Sequence, residues 1–354
     1  MIDRRAALGG LIACGLASPL AGRARDAGLG AQVDAFARAA RFGGVIATAR
    51  RGRIDFSAVH GMADAEARTP MALDTRFRIG SVSKRLTSVA VLRLVEQGRL
   101  DLDTPVTRYL PDFPVAMGAQ VTLRRLLSNT SGVPDSVNAA LGADPSLRAS
   151  TAESAETLRR YAVDGPLAFE PGTKFDYNVI NWIIVHAVLE RVTGLPFAQV
   201  LARLVFAPLG LRDAALVDTV RSSVPRLAAA YDAKGRRKMV AVPPFAGASG
   251  NICLTAADAV RAAHGIYSTG FLSARSRAAL TTIEYAPEDY TLGGRVHMIA
   301  GRRWSWDTGK VQGYRTMIAH DLAADRTVVI LNATDMDQGI IAAQTETMAT
   351  HLMT

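Results

Sequence analysis

The chain has 354 residues, 49% of them hydrophobic and 21% charged, with a formal net charge of +9, which excludes a disordered or fibrous protein and leaves material for a sizeable core. The excess of positive charge does not form a nucleic-acid footprint. Part of it sits in the first 24 residues, where Arg4, Arg5 and Arg23 face only Asp3, and the remainder is scattered apart from Arg50, Arg51 and Arg53 and the Lys234 to Lys238 stretch, so no basic stripe is set to track phosphates.

At the N-terminus Arg4-Arg5 precede an apolar run from Ala6 to Ala17 and small residues around Ala21 and Ala24. That order predicts an export signal over residues 1–24, and the paired arginines point to the twin-arginine route and an extracytoplasmic or periplasmic destination. A buried N-terminal helix is the alternative. The run falls short of the ~20 residues that a permanent span requires, so no membrane span is expected in the mature chain. Leu11-Ile12-Ala13-Cys14 also has the form of a lipobox, early in the chain for one, which would anchor the protein through Cys14. With the segment removed, Cys253 is the only cysteine and an intramolecular disulfide is excluded.

Residues 29–41 read as a helix with Val33, Phe36 and Ala40 on one side, and the apolar runs at 43–49 and 54–59 around Arg51-Gly52-Arg53 read as a β-hairpin. From Ser81 to Gln97, Val82, Leu86, Val89, Leu92 and Val95 recur at helical spacing and Gly98 follows as a stop, so a long helix begins at or just before Ser81. Helical patterns broken by Pro/Gly turns fill residues 100–290. Strand-like runs then return, clearest at Thr327 to Asn332, and a final helix is expected over about 338–352. Strands at both ends with helices between predict an α/β (α+β) fold: an antiparallel sheet built from the two chain ends and flanked by helices, with a mostly helical subdomain inserted. Residues 25–354 are expected to form one catalytic unit, with a sheet lobe over about 29–80 and 290–354, a helical lobe over about 81–289, and the active site in the cleft between them.

Ser81 and Lys84 carry the chemistry. A serine hydroxyl needs a neighbouring base, and a lysine three residues later on a helix shares its face. Among the five lysines, at 84, 174, 234, 238 and 310, only Lys84 has a serine three positions before it. A Ser-x-x-Lys alone arises by chance at about once in a chain of this length, as a capping serine and a surface lysine.

The segment Phe77-Arg78-Ile79-Gly80-Ser81-Val82-Ser83-Lys84 resembles the nucleophile segment of class C β-lactamases and their penicillin-recognising relatives, which include esterases and D-amino-acid peptidases. The resemblance continues in order through Gly61-Met62-Ala63-Asp64, through Gly98 to Val106, through Leu126 to Pro134 with Asn129 where histidine is usual, and through Pro171-Gly172-Thr173-Lys174-Phe175-Asp176-Tyr177. It implies the β-lactamase/transpeptidase-like fold and makes Tyr177 the partner base, a phenol that a nearby lysine ammonium helps to ionise. The family's Tyr-x-Asn reads Tyr177-Asn178-Val179 here, so the asparagine's part is lost or passes to Asn178 or Asn181. The family's Lys/His-Thr/Ser-Gly strand corresponds to Asp307-Thr308-Gly309 in the run Trp306 to Tyr314, which places the substrate against these three residues and pairs the backbone N–H of Lys310 with that of Ser81 as an oxyanion hole. Asp307 stands where the family has a cation or histidine. It either repels a substrate carboxylate or pairs with Arg302, Arg303 or Lys310.

The six histidines form no metal spacing, and neither a metal nor a cofactor is implied. Trp304 and Trp306 read as strand packing ahead of cleft lining. The sequence therefore predicts a serine hydrolase that cleaves a small-molecule ester, amide or peptide through a Ser81 acyl-enzyme, esterase- or peptidase-like rather than an efficient β-lactamase, and favouring neutral or cationic substrates. An acyltransferase with the same intermediate is the first alternative, and a non-catalytic binding or sensor protein on the same fold is the second.

Overall fold

The computed structural model describes residues 19–161, 165–217, 224–239, 241 and 243–353. Residues 1–18, with Arg4-Arg5, the apolar run and Cys14, lie outside these. Helix α1 (Pro19–Ala40) begins well before the expected residue 29. Periodicity reports only the part of a helix that meets a core, and Leu29, Val33 and Ala37 form such a buried face.

The chain then forms β1 (Gly44–Arg50) and β2 (Arg53–His60), joined through Arg51 and Gly52, both at positive φ as a tight hairpin turn requires. Next come the short β3 (Phe77–Arg78) and helix α2 (Ser83–Glu96). Beyond the helical stretch, β4 (Ala215–Leu216) and β5 (Ile252–Leu254) join β3 in a small antiparallel sheet of order β3-β5-β4. The last strands are β6 (Arg295–Ile299), β7 (Arg302–Val311), β8 (Tyr314–Asp321) and β9 (Arg326–Asn332). They complete a six-stranded antiparallel sheet of order β6-β7-β8-β9-β1-β2, so the two ends of the chain meet at its centre, where Gly44 lies opposite Asn332.

Strand alternation gives this sheet two apolar faces. One, with Ile46, Trp304, Trp306, Met317, Val328 and Ile330, packs under α1 and the C-terminal helix Gln338–Met353. The other, with Val45, Ala47, Ile318, Val329 and Leu331, joins the main core that runs through α2 into the helical region. Sandwiched there, α2 is buried almost all round, and its polar residues serve neighbouring backbone: Ser83 Oγ accepts from the Ile252 amide at 3.1 Å, and Thr87 Oγ1 donates to the Ala248 carbonyl at 2.9 Å. These bonds fix the helix carrying Lys84 against the segment 248–252. Among the described residues no single helix is long and apolar enough to cross a membrane.

Candidate active site

Ser81 lies in a 3₁₀ turn, Gly80–Val82, between β3 and α2. Gly80 has φ +51°, and a Cβ on it would stand 3.0 Å from the Lys310 nitrogen, so glycine lets the nucleophile turn press against β7. Half a turn into the helix, Lys84 is 5% exposed. Its Nζ donates to Ser81 Oγ at 3.3 Å and to the Ser249 carbonyl at 2.7 Å, and it sits 4.9 Å from the centroid of the Tyr177 ring and 5.5 Å from that of Trp182.

Tyr177 is brought in by a loop tied to residues 129–130: the Gly172 amide donates to the Thr130 carbonyl at 2.7 Å and the Asp176 amide to the Asn129 carbonyl at 2.8 Å. Asn129 has φ +57°, a conformation that asparagine tolerates. Its Oδ1 accepts from Trp182 Nε1 at 3.2 Å and from Asn181 Nδ2 at 3.4 Å. Although 44% of Tyr177 is exposed, protein atoms crowd its hydroxyl end. Burial there pushes the phenol upward, but the Lys84 charge and hydrogen bonding with Ser81 and Lys84 outweigh it and hold the group below its ordinary value of 10. Tyr290, edge-on at 6.3 Å and fully buried, moves the opposite way, well above 10, through burial and then the repulsion of an ionised Tyr177. Two facing tyrosines thus have separated acidities.

Asn178 and Asn181 are buried. Asn178 Nδ2 donates to the Val133 carbonyl at 3.1 Å and to Asp176 Oδ2 at 2.9 Å, while its Oδ1 accepts from the Asn181 amide at 3.1 Å, at the start of the helix Ile180–Thr193. Asn181 has no exposed surface, and its Oδ1 accepts from Ser131 Oγ at 2.6 Å. Asn178 and Val179 both line the crevice beside Lys84, Tyr177 and Ser249, and a second carboxamide shares it from elsewhere: Asn138, on the helix Ser136–Ala143.

On β7, Asp307 is 5% exposed and pairs with none of Arg302, Arg303 or Lys310. Its partner is Arg85, the residue after Lys84, whose Nε donates to Asp307 Oδ1 at 3.0 Å. Arg85 Nη1 also donates to the carbonyls of Leu280 and Leu292, at 2.8 and 3.0 Å, and to Thr291 Oγ1 at 3.0 Å. Burial raises the Asp307 carboxyl against the pull of Arg85. Thr308 stays half-buried near Ser81, Tyr177 and Arg295. At Gly309 a Cβ would fall 2.0 Å from the Ile79 carbonyl oxygen, so only glycine lets β7 lie this close to the nucleophile segment. The two-residue turn at Gln312-Gly313 sets the alternation along β7: the pairs Val311–Tyr314 and Gly309–Thr316 direct their amides at β8, and Lys310, opposite Arg315, turns its amide away. β6 reaches only Trp306, at Arg295, leaving the Lys310 N–H uncovered on that edge, toward Gly80 and Ser81.

Beside Ser81 opens a cleft of about 420 Å³. Its walls include Leu141, Val179, Met239 and Phe245 and four cations, Arg78, Lys84, Arg148 and Lys310, and among the described residues no carboxylate lines it. Asp307, from which a preference for neutral or cationic substrates was expected, is engaged by Arg85 and does not line this cleft, whose charged side chains are positive. Trp304 and Trp306 pack in the layer beneath the terminal helices. Among the described residues no three His, Cys, Asp or Glu side chains gather as a metal site. Asn138, Arg85, Arg78 and the Ser249 carbonyl had no sequence signal of their own beyond, for Arg78 and Arg85, adjoining the nucleophile motif.

Residues 22–339 match the Beta-lactamase family. Esterase EstB of Burkholderia gladioli is 41% identical over 217 residues, spanning 56% of this chain and 55% of that protein, so the chain spans about half the length of this relative. The penicillin binding protein from Bacillus halodurans superposes with a TM-score of 0.80 at 25% identity, covering 89% of this chain and 98% of its own. EstCE1, described as a hydrolase with promiscuous acyltransferase activity, gives 0.73 at 26% identity, covering 92% and 97%. With this coverage and the sheet and inserted helices described above, the chain belongs to the β-lactamase and penicillin-binding-protein superfamily of serine hydrolases.

Proposed function

We propose that this protein hydrolyses an ester or amide through an acyl-enzyme on Ser81. The observation that carries the reading is the contact of Lys84 Nζ with Ser81 Oγ at 3.3 Å beside a phenol whose pKa is held below its ordinary value. Tyr177, ionised under the Lys84 charge, takes the Ser81 proton as Oγ attacks the carbonyl carbon. The backbone N–H groups of Ser81 and Lys310 receive the oxyanion, a donor of this kind contributing roughly 3 kcal/mol to the transition state. Tyr177 then returns the proton to the leaving alcohol or amine, and water activated by the same pair releases the acid.

Val179 in place of the motif asparagine favours an esterase or amidase over an efficient β-lactamase. In this reading the Asn138 carboxamide takes the substrate contact that Val179 lacks, and Asn178 and Asn181 brace the loop beneath Tyr177. Residues 25–354 act as one catalytic unit, and the Arg4-Arg5 leader supports export. Intact-mass measurement after treatment with a fluorophosphonate tests the reading: the native chain gains one adduct and Ser81→Ala gains none. An unlabelled native chain across several acylating probes overturns it in favour of a binding protein. Acyl transfer is a second reading, supported by the likeness to EstCE1. Product partition with added alcohol acceptors decides it.

A further inference from the structure

Among the described residues that line the cleft, Arg78 is a buried cation without a counter-charge. It ends β3 three residues before Ser81, which puts its Cα within about 10 Å of the nucleophile's. It is 4% exposed, and its Nε and Nη1 make no hydrogen bond. The titratable groups acting on it are the Tyr314 phenol and the Cys253 thiol, with the Tyr314 ring 6.0 Å from the guanidinium carbon. Both are neutral near pH 7, and among the described residues no carboxylate meets it. Arg85, equally buried, shows the contrast: a carboxylate, a hydroxyl and three carbonyls satisfy it. A buried guanidinium without an anion is rare, and its fork matches a carboxylate.

The cleft shows where such an anion would come from. Arg78 lines it together with Ser81, and Arg148 and Lys310 add positive charge at the rim, while Leu141, Val179 and Phe245 offer apolar wall. Tyr177, which in the proposed mechanism protonates the leaving group, lines a small crevice with Ser81 and Thr308 and a second one that adjoins the cleft through Lys84, Asn138, Val179 and Ser249, but it does not line the cleft itself. The cleft, without the leaving-group acid in its wall, is read as the acyl side.

We infer that Arg78 anchors a carboxylate on the substrate's acyl chain, so that the preferred substrates are esters or amides of short dicarboxylic acids. The inference rests on the serine-hydrolase reading and adds its substrate class. The spacing from Arg78 to Ser81 suits a spacer of about two to four methylenes, as in succinyl and glutaryl groups.

The test compares mono-p-nitrophenyl glutarate with p-nitrophenyl butyrate, each corrected for spontaneous cleavage, in the intact protein, Arg78→Gln and Arg78→Lys. The native enzyme should favour the glutarate ester in kcat/KM by at least about tenfold. Arg78→Gln should lower that ratio about tenfold, through KM of the anionic ester, and Arg78→Lys should restore part of it. A purely structural arginine would leave the ratio unmoved. In case Arg78→Gln fails to fold, glutarate should inhibit butyrate hydrolysis by the native enzyme, more weakly at high salt, where glutaramide does not. An unchanged ratio in folded Arg78→Gln, or glutarate no better than glutaramide, overturns the inference. Butyrate hydrolysis with no preference for the anion overturns it and leaves the hydrolase reading standing, whereas no cleavage of either ester, with Ser81 unlabelled, overturns both.

Discussion

Arg85 and Asp307 meet through a 3.0 Å hydrogen bond between the nucleophile helix and β7, both side chains almost without solvent contact. The pair clamps the two elements that have to stay in register for Ser81 and Lys310 to face each other. Asp307→Ala leaves a buried guanidinium with only neutral acceptors and should cost about 3 kcal/mol in urea unfolding, the scale for breaking a buried pair from one side. Replacing both residues by apolar ones of similar size should cost less than Asp307→Ala alone. A double variant less stable than the single would show that the pair is net stabilising.

The depressed Tyr177 phenol gives a pH signature. Because the ionised form is the active one, kcat/KM should rise with pH through an ionisation below 10, and a limb at or above 10 would remove Tyr177 from that role. Tyr177→Phe should lose about 10²- to 10⁴-fold in kcat together with the limb. Lys84→Gln removes the charge that holds the phenol down, so its residual activity should rise only at higher pH.

Gly309 controls the geometry through its missing side chain. Gly309→Ala drives a methyl into the Ile79 carbonyl oxygen and Thr316 Oγ1, parting β7 from the Ser81 turn. Activity should fall about 100-fold, the scale for losing an oxyanion donor, with the thermal unfolding midpoint reported alongside to separate activity from stability.

Val179→Asn rewrites Tyr177-Asn178-Val179 as the motif form and puts a carboxamide in the crevice with Lys84 and Ser249. Acylation by a cephalosporin should quicken, read as the rate of mass gain on Ser81. No change would mean that Asn138 already supplies that contact, and Asn138→Ala should then slow ester turnover.

What the sequence made legible was local. Ser81 and Lys84 share a helical face, Arg51-Gly52 marks its hairpin, and the Pro-Gly-Thr-x-Phe-x-Tyr run announces Tyr177. The structure's additions are contacts between distant parts of the chain: Arg85 finds Asp307 across 222 positions, and Lys84 finds the Ser249 carbonyl across 165. Nothing in local spacing marks such a pair, and a backbone carbonyl leaves no residue-type signal at all. Asp307 is paired, as one of the two readings of the sequence has it, but not with Arg302, Arg303 or Lys310: the cation that reaches it, Arg85, comes from another element. Asn178 and Asn181 drew attention through proximity to Tyr177; the Asn178 carboxamide serves the backbone at Val133 and Asn181, and that of Asn181 joins the side chains of Ser131 and Asn129.

His320 offers a stability test away from the site. It has no exposed surface, accepts or donates to Thr327 Oγ1 at 2.9 Å and Ser268 Oγ at 3.0 Å, and burial lowers its pKa to about 4 against the pull of Asp325 and Asp321. A folded-state pKa below the unfolded value of 6.5 means that the unfolded chain binds the proton more readily. This contribution is complete above pH 6.5 and is lost as pH falls toward 4, amounting to about 3 kcal/mol. Urea unfolding at a series of pH values should show that decline, and His320→Gln should flatten it.

The Gly43 amide donates to the Asn332 side chain 289 residues further on, beside the pairing of β1 with β9. Closing so long a loop precedes any reward from the strand contacts, so the protein belongs among slow folders of high contact order. During synthesis β1 and β2 are made early and wait as an open hairpin edge until the final strands emerge. Until those strands arrive, β1 lacks the partner that covers its edge in the folded sheet, and an uncovered edge is a site for mispairing.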